Sequence, residues 1–134
     1  MKITHLLLAL SLVSLTACST TTPTTNHDSP ETMLITYHVQ PGDEAKLQEV
    51  LSRAWDIYRK SHLVLTEPHV IIRARESGGQ TRFVEIFTWV NHAAPGHAPD
   101  SVKKIWEQMQ SLCEARDGHI GLEGGEVEMV VPKL

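Results

Sequence analysis

The residues with the most chemical capacity gather in one stretch, Thr81 to Trp106. Its segment from Phe83 to Trp89 alternates as a strand does, which sets Glu85 on one side with Phe83, Phe87 and Trp89. A carboxylate drawn out of water among aromatic rings suits a general base or acid. The plainer reading is an ion pair between Glu85 and Arg73 on the neighbouring strand, and structural pairs are the commoner use of such a group. His92 and His97 follow in a proline-bearing loop, and His38 falls on an earlier strand. Three imidazoles near one strand end could ligate a metal or supply the axial ligand of a haem. The spacing His92-x4-His97 fits no ligand pattern and no cysteine pair supports it, so no cofactor is expected. No nucleophile with an adjacent base is identifiable: hydroxyl side chains cluster near the N-terminus, and Cys113 reads as buried and inert. Trp106 reads as core, whereas Trp89 reads as a ligand-stacking wall or an interface anchor.

The elements that must position these groups follow from periodicity. Met33–Val39 alternates as a first strand. Gln40-Pro41-Gly42 is turn chemistry, and Asp43 suits the N-cap of a helix running to Ser61 with Leu47, Val50, Leu51, Ala54, Ile57 and Tyr58 on one stripe. His62–Pro68 reads as a loop, Val70–Glu76 as a second strand, Ser77–Gln80 as a hairpin turn and Arg82–Val90 as a third strand. A second helix begins at Pro99 or Asp100, buries Val102, Ile105, Trp106, Met109, Leu112 and Cys113, and ends with Arg116 in its last turn and Gly118 at its C-cap. Gly121–Gly125 reads as a turn before a last strand, Glu126–Val131.

The order βαββαβ is the ferredoxin-like arrangement, an α+β fold with a four-stranded antiparallel sheet and two helices on one face. The helices are expected over the aliphatic positions of the strands. The opposite face would then expose Thr36, His38, Arg73, Arg75, Glu85, Phe87, Trp89, Glu126 and Glu128, a mixture suited to a lined cavity.

Lys2, the apolar run Ile3–Leu15 and the sequence Leu15-Thr16-Ala17-Cys18 form a secretory signal that resembles a bacterial lipobox. Cleavage before Cys18 would remove residues 1–17 and leave that cysteine lipidated. Ser19 in place of aspartate favours the outer membrane by resemblance to Gram-negative sorting. Residues 18–32 then read as a lipidated cysteine with a disordered Ser/Thr/Pro tether, and 33–134 as one small domain. The mature chain, with 11 basic against 16 acidic residues, carries −5, which does not suit a nucleic-acid partner.

Met33 to about Val131 resembles the dimeric α+β barrel superfamily, in particular its antibiotic-biosynthesis-monooxygenase-like branch. Phe83-Val84-Glu85-Ile86-Phe87, a loop, His97 and a helix bearing Trp106 carry the likeness. The resemblance implies a homodimer and a small-molecule pocket, between sheet and helices or in the barrel, lined by His38, Arg73, Phe87, Trp89 and His92, with Glu85 or His97 as the base. It further implies cofactor-free oxidation of a small aromatic or hydrophobic substrate. The competing expectation is a non-catalytic dimeric envelope lipoprotein that binds a ligand or a protein partner.

Overall fold

Alternating strands and two amphipathic stripes assemble as the periodicity requires. The computed structural model describes residues 28–130, so the signal segment, Cys18 and most of the tether lie outside the described residues. Its elements are β1 (Glu31–Tyr37), α1 (Glu44–Lys60), β2 (Val64–Arg75), β3 (Thr81–Trp89), α2 (Asp100–Ser111) and β4 (Leu122–Glu126), with a 3-10 turn at Ala94–His97 before α2. The four strands form one sheet in the order β2-β3-β1-β4, every neighbouring pair antiparallel. This is the ferredoxin-like α+β arrangement, with β1 and β3 in the interior of the sheet. Among the described residues, no helix is long and apolar enough to cross a membrane.

On β1 the helices cover Ile35 and Tyr37 as expected, but on β2 and β3 they cover the face opposite to the one expected. Register pairs Ile35 and Ile71 with Glu85, and Met33 and His69 with Phe87, so these residues share a face. Phe83, Glu85, Phe87 and Trp89 are all buried there. The other face presents Leu34, Val70, Ile72, Val84 and Ile86, which share register across the three strands; Val70 and Ile72 are 42% and 48% exposed. The reason is volume. Helices packed on a sheet leave a thick layer, which aromatic rings fill, whereas short branched side chains make a low, flat surface.

α1 buries Leu47, Val50, Leu51, Ala54 and Tyr58, close to the expected stripe. Asp43 stands at its N-cap position without a side-chain cap; its carboxylate instead accepts from Lys46 Nζ at 2.7 Å. α2 stops at Ser111, a turn short of expectation, because Cys113 leaves the helix to pair with Val39 beyond the end of β1. Arg116 and Gly118 therefore belong to no helix. Arg116 bridges His119 around Asp117-Gly118, whose φ angles of 52° and 82° make the two-residue turn that Asp-Gly favours.

The glycine-rich segment read as a turn is itself the last strand. A Cβ on Gly124 would lie 2.3 Å from Ile35 Cδ1, so the glycine lets β4 approach β1 while Ile35 points into the core layer. β2 also starts earlier than expected, with a register irregularity between Val64 and His69. That extension brings His69 onto the sheet.

Candidate functional site

Between the sheet and the helices lies a cavity of about 430 Å³. Its walls are mostly apolar: Met33 and Ile35 of β1, Phe87 and Trp89 of β3, and Trp106 and Met109 of α2 contribute to them. The rings lock one another edge to face, Phe87 against Trp89 at 4.8 Å and Trp89 against Trp106 at 6.3 Å between centroids. Tyr37 and Tyr58 bring hydroxyls into this apolar lining. Trp106 Nε1 donates to the Tyr58 oxygen at 2.6 Å, so the Tyr58 hydrogen remains available for a ligand acceptor.

Glu85 is 1% exposed and lies behind Tyr37. The Tyr37 hydroxyl donates to Glu85 Oε2 at 2.7 Å, and His69 Nε2 stands 2.9 Å from Glu85 Oε1. Both carboxylate oxygens are thus engaged, as a buried carboxylate requires. Trp55 of α1 stacks on the His69 ring at 3.6 Å and 10°, holding it in the plane that reaches Glu85. Burial first, and then the Glu85 carboxylate beside it, push the Tyr37 hydroxyl well above its ordinary pKa. Tyr37 therefore keeps its proton and donates it. Burial likewise raises Tyr58, against the opposing hydrogen bond from Trp106.

The expected Glu85–Arg73 pair does not form. Arg73 registers with Phe83 and places its guanidinium 5.9 Å from the centroid of that ring, away from the cavity lining. Phe87, Trp89 and His92 do line the cavity, which lies between sheet and helices; alternation had set Phe87 and Trp89 on the uncovered face instead. His92 Nδ1 lies 3.0 Å from Glu31 Oε2, another lining residue. His97 is exposed on the 3-10 turn, with Nδ1 donating to the Ala93 carbonyl at 2.9 Å, and does not reach the cavity. His38 is buried in a separate polar cleft with Glu76 and Glu123. Burial pushes the Cys113 thiol up to about 11, which leaves it protonated at neutral pH.

Sequence reasoning missed Tyr37, His69, Tyr58 and Trp55 as parts of one arrangement. Carrying the alternation of Arg73 and Ile71 back by two residues would have placed His69 beside Glu85; Pro68 concealed that continuity.

No protein-family model matches the chain, and no curated protein matches it in sequence. Solved structures do match in shape. SnoaB, a cofactor-independent oxygenase from Streptomyces nogalater, is similar with a TM-score of 0.59 at 17% identity, over 78% of this chain and 99% of that one. An antibiotic-biosynthesis-monooxygenase-like protein from Caulobacter crescentus gives a TM-score of 0.57 at 14% identity, over 78% and 93% of the two chains. Another from Bacteroides thetaiotaomicron gives 0.56 at 15% identity, over 81% and 96%. At this level of identity the likeness is one of architecture, and the chain has the fold of the antibiotic-biosynthesis-monooxygenase-like α+β barrel proteins.

Proposed function

We propose that the domain binds a small, largely apolar aromatic molecule between its sheet and its helices and oxidises it with dioxygen, using no bound cofactor. The observation that carries this reading is the apolar cavity of about 430 Å³ with Tyr37 in its wall and Glu85 directly behind. That volume falls in the usual range for small-molecule sites, roughly 300–1,000 Å³. The similarity in fold to a cofactor-independent oxygenase supports the reaction class.

Phe87, Trp89 and Trp106 would stack on the ring, and the Tyr58 hydrogen would meet a substrate carbonyl or phenol oxygen. The Tyr37 oxygen would take a proton from an acidic ring position while its own hydrogen passes to Glu85. His69, whose side chain is 19% exposed, connects that carboxylate to water. The resulting substrate anion would supply the electrons that reduce dioxygen. A methylene then becomes a carbonyl, with one oxygen atom retained and the other leaving as water.

A second reading, a binding module without turnover, draws on the same geometry, because both Glu85 oxygens are already satisfied by the protein. One experiment separates the two. The full chain in detergent is titrated with a dihydroxylated tricyclic aromatic probe while tryptophan quenching and oxygen uptake are followed together. The expected result is quenching with uptake in the native chain, and quenching with uptake reduced at least about 100-fold in Glu85→Gln and Tyr37→Phe. Quenching without uptake in the native chain would reduce the function to binding.

The setting we propose is a lipid anchor on Cys18, facing the periplasm from the outer membrane, and a homodimer formed through the aliphatic sheet face. The anchor rests on Leu15–Cys18; Cys18→Ser should move the protein from the membrane fraction to the soluble one.

A further inference from the structure

A second cleft, about 360 Å³ and polar, shares no lining residue with the apolar cavity. We propose that His38, His119 and Glu123 in this cleft form a site for one divalent transition-metal ion of the zinc class. His38 Nε2 and His119 Nδ1 lie 3.2 and 3.0 Å from the same oxygen, Glu123 Oε1, and the three ligand atoms all fall within 4.8 Å of one another. Ligands about 2.0–2.1 Å from a tetrahedral ion stand about 3.3 Å apart, so both N···O separations already match an edge of such a site.

The surroundings of His38 set its ligating face. Its Nδ1 lies 2.6 Å from Glu76 Oε1, and the other oxygen of Glu76 accepts from Arg116 Nη1 at 3.0 Å. A hydrogen on Nδ1 satisfies Glu76, and on its other side Nε2 shares a proton with the Glu123 carboxylate 3.2 Å away. A metal ion would take the place of that proton between Nε2 and Glu123 Oε1. A carboxylate behind the imidazole is also the usual outer support of a histidine that ligates zinc.

The three ligands stand on segments tied together by the backbone. His38 N donates to the Gly121 carbonyl and its carbonyl accepts from Glu114 N, both at 2.8 Å. The Asp117-Gly118 turn presents His119, and Glu123 sits on β4 opposite Thr36. Such a frame requires little rearrangement on binding. Two imidazoles and one carboxylate select zinc, cobalt, nickel or copper over magnesium and calcium. The His119 side chain is 57% exposed and that of Glu123 35%, which leaves a path for the ion and room for water as a fourth ligand. Arg75 and Arg82 also line the cleft and favour an anionic ligand, such as hydroxide, in that position. The ion would clamp β4 and the turn onto the end of β1, separately from the chemistry of the cavity.

The test uses the full chain in detergent, stripped with chelator and dialysed, with Zn²⁺ and Co²⁺ as probes. Calorimetry should show one saturable equivalent per chain, Zn²⁺ should raise the melting midpoint, and Co²⁺ should give visible bands of low coordination number. His119→Ala and Glu123→Gln should each weaken binding at least tenfold, and Glu76→Gln by about 10–100-fold. His38→Ala removes a buried side chain and risks unfolding, so the two exposed-side variants decide the matter. The chain has eight histidines. Binding that survives in both variants would therefore assign the metal to other imidazoles and overturn the site, as would the absence of saturable binding.

Discussion

Both tyrosines of the chain are buried, Tyr37 at 3% exposure and Tyr58 at 2%, and both are held protonated above the ordinary value of 10.0. The sign of the consequence follows from linkage. Above about pH 10 the unfolded chain loses phenolic protons that the folded chain keeps, so stability is present below that pH and declines as pH rises further. Each tyrosine contributes a slope of up to about 1.4 kcal/mol per pH unit. An alkaline titration followed at the tyrosinate absorbance should show no ionisation until the fold is lost, and Tyr37→Phe should flatten the decline. Gradual ionisation in a still-folded chain would contradict the burial described. At this scale the sequence singled out Glu85 and was silent about its partners. Glu85 stands out by its aromatic neighbours, but Tyr37 and His69 reach it only through strand register, which lies beyond local alternation.

Element boundaries went astray where tertiary contacts overrode local preference. Helix α2 could continue through Cys113 by its stripe, yet Cys113 pairs with Val39, and the segment Leu122–Glu126 forms a strand despite two glycines. Glycine is a requirement of packing at 124, within the strand, and at 121, just before it. An added Cβ at Gly121 would meet the backbone, 2.8 Å from Glu114 N and 3.0 Å from Cys113 C, whereas Gly125 has open space. Gly121→Ala should therefore cost about 1–3 kcal/mol in denaturant unfolding, and Gly125→Ala much less. Equal effects would mean that strand propensity alone is being measured. The strand β3, the helix α1 and the start of α2 were legible because their periodicity and their burial agree, and β1 because its residues alternate in type.

For the whole molecule, the order βαββαβ was readable from the sequence, but the face that the helices would cover was readable on β1 and not on β2 and β3. Alternation divides each strand into two sets without saying which set goes inward, and here the aromatic set with its buried carboxylate won over the aliphatic one. The result leaves Leu34, Val70, Ile72, Val84 and Ile86 as a contiguous sheet surface with no helix over it among the described residues. If a second copy covers it, ultracentrifugation should give a dimer, and the double variant Val70→Asp/Ile72→Asp should give a folded monomer with an unchanged circular dichroism spectrum. A native chain that is monomeric at all concentrations would rule out that assembly. The place of β1 has a mechanical consequence as well. The chain enters the domain at Glu31 along an interior strand, with β3 on one side and β4 on the other, both antiparallel to it. Tension arriving from the residues before Glu31 would pull β1 lengthwise, loading both ladders in shear so that their hydrogen bonds share the force instead of opening one at a time.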